Sequence, residues 1–134
     1  GHHPVEIEAT LSATHQAWPD RRIIAVCQPH RYSRVQELFS DFCRCSNHAS
    51  KLVLCPIYRA GEKPIEGISH YKLAQKIAEH GHRGVSIVDS LEEATELLKE
   101  EIRPGDVIIT LGAGNVNQIC NPIKEHIHEK SVRG

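Results

Sequence analysis

The sequence contains no methionine, few aromatic residues and no long apolar run; the aromatic residues are one Trp, three Tyr and two Phe. Because the chain begins at Gly1 and not at Met, we expect either a processed protein or a piece of a longer one. No apolar stretch approaches the roughly 18 residues that span a bilayer, and no signal-peptide segment is evident. We therefore expect a cytoplasmic protein with no membrane partner.

The sequence also lacks an excess of either charge, since 16 Lys and Arg nearly balance 17 Asp and Glu and the net charge is −1. A near-neutral chain is a poor candidate for binding nucleic acid through bulk charge. The 134 residues are 40% hydrophobic and 25% charged, as in an ordinary globular protein. This size and composition predict a single domain over residues 1–134.

A cysteine framework is missing as well. The five cysteines, at positions 27, 43, 45, 55 and 120, follow neither a disulfide pattern nor a zinc-binding spacing. The C-x-C at 43–45 lies on a predicted helix, where residues two apart do not share a face. We predict no metal site, and free thiols of this kind fit a reducing compartment.

Four continuous apolar runs, at 22–28, 51–55, 85–88 and 106–111, predict β-strands covered on both faces. Helical patterns alternate with these runs. Three cover 4–18, 33–46 and 69–79, a fourth follows a capping box that begins at Ser90, and a fifth follows 112–114. The sequence also permits a short additional strand near 57–60. This alternation predicts an α/β fold with a Rossmann-like, doubly wound, mainly parallel sheet and helices on both faces.

Functional side chains follow the predicted strands, at 28–34, 56–62 and 112–115, where ligands gather in open α/β sheets. Arg31 and Arg34 are three residues apart at a helix start, so both guanidinium groups can reach one carboxylate or phosphate. The alternative is a solvated first turn, where two cations oppose the helix dipole. Glu62 is a candidate to orient Arg31 or Arg59.

The turn formed by Gly112, Ala113 and Gly114 resembles half of a dinucleotide-binding fingerprint, but Asn117 stands where the third glycine belongs. A tight strand-to-helix turn that admits only small residues explains it equally well. No P-loop motif occurs anywhere in the sequence. We predict no catalytic residue within the chain.

Several motifs together carry a family resemblance: GHHP at 1–4, QPHRYSR at 28–34, YRAGE at 58–62 and TLGAGN at 110–115. In this order they resemble the C-terminal domain of the Mur ligases of peptidoglycan synthesis, and among these the type that adds L-alanine to UDP-N-acetylmuramate. The QPHRYSR run is the most specific motif, and the resemblance extends over essentially the whole chain. The Asp-Asp-Tyr that normally precedes the glycine motif is absent here.

The resemblance implies an ATP-dependent ligase that forms an amide bond through an acyl phosphate, with Mg²⁺ and ATP bound mainly by a central domain. The partners it implies are L-alanine, UDP-N-acetylmuramate, ATP, and the N-terminal and central ligase domains. A chain beginning at an interdomain hinge is then expected to be inactive alone.

The resemblance also implies individual roles. Arg31, Arg34 and His30 would bind the carboxylate of L-alanine, and His2 would approach the nucleotide. The turn that borders the amino-acid pocket would consist of Gly112, Ala113, Gly114 and Asn115. No role follows for Arg59.

Three alternatives stay open at this point. A related murein-peptide ligase shares the HHP region. A stand-alone α/β module could bind an anion or nucleotide without further domains. An RNA-binding module around His30 and Tyr32 is disfavoured by the near-neutral charge and the scarcity of aromatic residues.

Overall fold

The structure, a computed structural model, describes residues 3–45 and 47–112. Within them the elements alternate between helix and strand. In chain order they are α1 (Pro4–Ala17), β1 (Ile23–Gln28), α2 (Tyr32–Glu37), α3 (Phe39–Phe42), β2 (Lys51–Leu54), α4 (His70–Glu79), β3 (Val85–Ile87), α5 (Leu91–Glu101) and β4 (Val107–Gly112).

The four strands form one parallel sheet in the order β3-β2-β1-β4. β1 lies inside the sheet, and all six of its residues are buried. A strand flanked by parallel neighbours and covered on both faces needs apolar side chains in both directions, which is why its sequence runs IIAVCQ without alternation. The predicted parallel α/β fold is confirmed.

Alternate residues of the strands point into two separate cores. On one face, Ala25 and Leu52 of the sheet pack with residues of α1, α3 and α4. On the other face, Val26 and Val53 pack against Ala94 and Leu98 of α5. Helices therefore cover both faces of the sheet, as predicted.

Three helices begin at side-chain caps that satisfy backbone N–H groups with no partner inside the helix. The Ser69 hydroxyl accepts from Lys72 N at 3.1 Å, and the Ser90 hydroxyl accepts from Glu93 N at 3.0 Å. His3 Nδ1 accepts from Val5 N at the start of α1, where Pro4 occupies the first turn. The capping box predicted at Ser90 correctly located the start of α5.

Two expectations about helices were wrong. The single helix predicted over 33–46 is divided at Leu38, whose φ of −109° and ψ of 24° leave the α-helical region. The break turns the following segment so that Phe42 is buried in the core. The helical pattern at 4–18 places Trp18 on one face with Ile7 and Leu11, which are buried, but Trp18 ends α1 and is 44% exposed.

The direction of the chain reverses at β1. After β1 the chain moves to β2 and β3 on one side, and then returns to β4 on the opposite side of β1. Connections leaving neighbouring strands in opposite directions open a crevice at their carboxyl ends, which is where ligands bind in this class of sheet. In the described residues, no helix is long and apolar enough to cross a membrane.

Candidate functional site

The segment after β1 is attached to the segment after β2. Arg31 N donates to Tyr58 O at 2.7 Å, and Tyr58 N donates to Pro29 O at 2.8 Å. These bonds make a single parallel bridge between His30 and Tyr58, whose rings stack with centroids 5.6 Å apart. The additional strand considered near 57–60 is thus reduced to this one bridging residue.

Backbone strain marks the same two segments. Arg31 has a φ of 67° and Ala60 a φ of 52°, and they are the non-glycine residues with positive φ among those described. Such conformations cost about 1–3 kcal/mol each and persist where the surroundings enforce them, often at binding sites. At Arg31 the bond to Tyr58 O and the bond from Val35 N enforce the conformation.

Arg31 immediately precedes α2, and Arg34 lies in its first turn. Arg31 is the N-cap residue of α2 and Arg34 the third residue of the helix, so both long side chains extend from the N-terminal end of α2. Arg31 is exposed and Arg34 half-buried, and neither guanidinium donates a hydrogen bond to the part of the chain described. Two cationic groups with their donors available can bind one carboxylate in bidentate fashion.

Glu62, the candidate to orient Arg31 or Arg59, uses its carboxylate mainly to bind Ser33. Its carboxylate accepts from Ser33 N at 3.1 Å and from Ser33 Oγ at 2.5 Å. Arg59 Nε donates instead to the backbone carbonyl of Glu62 at 3.1 Å. The Ser33 hydroxyl and N–H groups, helped by the charge of Arg31, hold the pKa of Glu62 below its usual value.

Gly112 closes the other side of the crevice. It pairs with Gln28 across β1 and β4, and its φ is 135°. A Cβ built on Gly112 would lie 2.3 Å from Gln28 O, so a side chain cannot be accommodated without displacing the backbone. The glycine is thus required by both its conformation and the close approach of β1.

The predicted site residues fall into two groups. His30, Arg31, Arg34 and Gly112 lie at the carboxyl ends of the adjacent strands β1 and β4 or in the turn after β1. His2, Ala113, Gly114 and Asn115 lie outside the described residues.

The segment at 56–62 adds a wide cleft of about 510 Å³ beside this crevice. It is lined by Gln28, Ile57, Tyr58, Arg59, Ala60 and Gly61. The YRAGE motif and the QPHRYSR run both drew attention in the sequence, but no role was predicted for Gln28, because a glutamine that ends a buried strand carries no signal of its own. Its 8% exposed surface and its position on the cleft wall emerge only from the fold.

Nucleophilic thiols and metal ligands do not contribute here. Burial raises the pKa of Cys45 and of Cys55 to about 12, so both thiols stay protonated near neutral pH. Among residues 3–45 and 47–112, no cluster of three or more His, Cys, Asp or Glu side chains could hold a metal ion.

The fold and the site define a doubly wound α/β domain with an arginine-bearing crevice at its switch point. The family profile described as "Mur ligase, glutamate ligase domain" matches residues 1–114. The chain therefore belongs to the Mur ligase family.

Two curated relatives are both named UDP-N-acetylmuramate–L-alanine ligase. The protein from Desulfosudis oleivorans is 50% identical over 119 residues, which are 89% of this chain and 26% of the relative. That from Geobacter sulfurreducens is 51% identical over 118 residues, again 26% of its length. The chain thus spans about a quarter of the length of the relatives it matches.

Solved structures share the fold at low sequence identity. A murein peptide ligase from Psychrobacter arcticus matches with a TM-score of 0.66 and 16% identity, over 94% of this chain and 26% of the other. A domain described as from a UDP-N-acetylmuramate tripeptide ligase of Haemophilus ducreyi gives a TM-score of 0.67 at 17% identity, over 94% and 85% of the two chains. These similarities show the architecture alone.

Proposed function

We propose that this chain is the C-terminal, amino-acid-binding domain of a three-domain ligase that joins L-alanine to UDP-N-acetylmuramate while ATP is cleaved to ADP and phosphate. The observation that carries the proposal is the pair Arg31 and Arg34 beside the crevice between β1 and β4. The proposed reaction is the one named for two relatives that are about 50% identical to this chain. A cytoplasmic location follows from substrates that are ATP and a nucleotide sugar.

The arginine pair fits the amino-acid substrate better than a nucleotide phosphate. Glu62 carries negative charge beside Ser33 at the start of α2, and it would repel a polyanion there. A single carboxylate with one negative charge needs only the two guanidinium groups. The stacked ring of His30 and the strained backbone of Arg31 fix the start of α2, so the arginines are held ready for the ligand.

The described residues provide no metal-ligand cluster and the sequence no P-loop, so we assign ATP and Mg²⁺ to the central domain of the longer protein. This domain's contribution is to bind L-alanine by its carboxylate and present its amine to the acyl phosphate made elsewhere. Forming the C–N bond then expels phosphate, and closure of the domain over the site excludes water from the reactive acyl phosphate.

A murein-peptide ligase is the second candidate, because that type of ligase shares the HHP region at residues 2–4. Such an enzyme joins a peptide to the nucleotide sugar in place of one amino acid. The two candidates therefore differ in the size of the amine-bearing substrate that binds in the crevice beside Arg34.

The test is phosphate release by the longer protein that contains this chain. With ATP and UDP-N-acetylmuramate present, we expect phosphate release to depend on added L-alanine and to accompany an amide product identified by mass. The murein tripeptide added in place of L-alanine should give no product. Turnover with the tripeptide and none with L-alanine would instead establish the second candidate.

A further inference from the structure

Within the part of the chain that the structure describes, the carboxamide of Gln28 is hydrogen-bonded on one side only. Its nitrogen, Nε2, donates to Pro56 O at 3.3 Å. Its oxygen, Oε1, is buried and accepts no hydrogen bond from the described residues. A buried polar atom of this kind is normally paired, because leaving it unpaired carries a desolvation penalty.

The orientation of the carboxamide follows from its one partner. The carbonyl of Pro56 can only accept a hydrogen bond, so the nitrogen of Gln28 has to face it. The oxygen therefore points away from Pro56, and exchanging the two atoms would place two acceptors against each other. What Gln28 Oε1 lacks is specifically a donor.

The position of Gln28 connects this oxygen to the proposed substrate. Gln28 is the last residue of β1 and forms part of the wall of the cleft beside Tyr58 and Arg59. It precedes Arg31 by three residues, which an extended chain spans in about 10 Å. The long side chains of Arg31 and Arg34 can therefore hold a carboxylate within reach of Gln28.

We propose that Gln28 Oε1 accepts a hydrogen bond from the α-amino group of the incoming amino acid, an inference that rests on the proposed function. A substrate with a carboxylate and an amine on the same carbon supplies both the anion that the arginines need and the donor that Gln28 lacks. One N–H of the amino group bonds to Gln28 Oε1, which fixes where the nitrogen lies relative to the carboxylate. Gln28 itself exchanges no proton.

Access to the oxygen requires the carboxamide to rotate, because Oε1 is buried in this structure. The carboxamide is held by one hydrogen bond, which at 3.3 Å is slightly longer than the usual range. The terminal torsion of a glutamine has a broad energy profile, so the group rotates readily. A donor entering the cleft thus meets Gln28 Oε1 once that torsion adjusts.

The experiment compares L-alanine with propionate in the longer protein. Propionate has the same carboxylate and no amine, so it tests the arginines without Gln28. We expect Gln28→Met to raise the KM for L-alanine roughly tenfold, while the inhibition constant of propionate against L-alanine stays unchanged. The matched variant Arg34→Gln should weaken both ligands.

Two further outcomes separate this inference from the proposed function. If Arg34→Gln raises the KM for L-alanine and Gln28→Met does not, the role of Gln28 is wrong and the carboxylate site stands. If neither variant changes it, the proposed site itself is wrong. A similar loss for both ligands in Gln28→Met indicates a merely structural residue and also overturns the inference.

A second variant, Gln28→Glu, tests the hydrogen bond separately from the loss of the carboxamide. Gln28→Glu loses the bond to Pro56 O but keeps an acceptor oxygen in the side chain, so its KM for L-alanine should stay closer to that of the unmodified protein than the KM of Gln28→Met. Equal increases in the two variants contradict a hydrogen bond from the amine. The comparison of Gln28→Glu with the unmodified protein remains available if Gln28→Met does not fold.

Discussion

The carboxylate of Glu62 binds Ser33 twice, through the backbone N–H at 3.1 Å and the hydroxyl at 2.5 Å. These bonds attach the segment after β2 to the first turn of α2, in which Arg34 lies. They act beside the bridge between His30 and Tyr58, so two independent attachments position the arginines.

The first prediction concerns this attachment. Glu62→Gln removes the charge and weakens both bonds to Ser33, so Arg31 and Arg34 lose part of their fixed arrangement. We expect the KM for L-alanine in the longer protein to rise severalfold, with the KM for ATP unchanged. Glu66→Gln, a nearby exposed carboxylate, is the control. Equal behaviour of the two variants would contradict a positioning role for Glu62.

A second prediction separates two reasons for the glycine at position 112. Gly112→Ala introduces a close contact with Gln28 O and an unfavourable φ, whereas Gly105→Ala, at a φ of 89°, meets open space. We expect losses of about 2–4 kcal/mol and about 1–2 kcal/mol respectively in urea unfolding. Gly84→Ala, with a contact of 2.4 Å to Ser50 O and no positive φ, measures the clash alone. Equal losses at 105 and 112 would show that the close approach of β1 does not matter.

A third prediction concerns the ion pair between Arg22 and Asp106, 2.5 Å apart and partly buried. Burial by itself raises the pKa of Asp106, but hydrogen bonds from Arg22 and Arg103 N outweigh it, and the net pKa is lowered below 3.8. A lowered carboxyl pKa stabilises the fold above the unfolded value, and this stability is lost as the pH falls through the folded value.

Asp106→Asn should therefore reduce the free energy of unfolding by about 1.5–3 kcal/mol at pH 7. The deficit should shrink as the pH falls below the ordinary pKa of an aspartate, because the unfolded chain is protonated first and the folded carboxyl follows at its lowered pKa. Glu79→Gln breaks the exposed pair with Lys76 and should change stability by no more than about 0.5 kcal/mol. A deficit that stays constant down to the lowest pH at which the protein folds would refute the assignment.

A fourth prediction concerns the buried thiols. With the pKa of Cys45 and Cys55 raised to about 12 by burial, alkylation by iodoacetamide at pH 8 should be slower than for a free thiol by roughly a thousandfold. A Cys120→Ala background removes the cysteine that lies outside the described residues. Mass spectrometry should find Cys45 and Cys55 unlabelled in the native protein and labelled in urea. Prompt labelling of the native protein would show that these thiols are reachable.

Much of the fold was predictable because the signals are local. The continuous apolar run of β1 predicted a doubly covered parallel strand, and Ser69 and Ser90 correctly located the starts of two helices. The division at Leu38 was not predictable, since Leu38 and Phe39 continue the helical pattern and only packing against the core turns the chain. The exposure of Trp18 was missed for the same reason.

The site was predictable only in part. The spacing of Arg31 and Arg34 indicated an anion site, and parallel strands brought the expected segments to one edge of the sheet. The bonds that Glu62 makes to Ser33 join residues 29 positions apart, and the strained φ of Arg31 depends on a bond to Tyr58. Such contacts exist only after the strands pair, so no local pattern reports them.

The proposed function depends most on Arg31 and Arg34 binding the carboxylate of the amino acid. The most direct measurement is the KM for L-alanine of the longer protein carrying Arg34→Gln, compared with Arg44→Gln, an exposed arginine before β2. Loss of a charge-assisted hydrogen bond predicts an increase of about 10- to 100-fold for Arg34→Gln and no change for the control. An unchanged KM for L-alanine in both Arg34→Gln and Arg31→Gln would contradict this role for the two arginines.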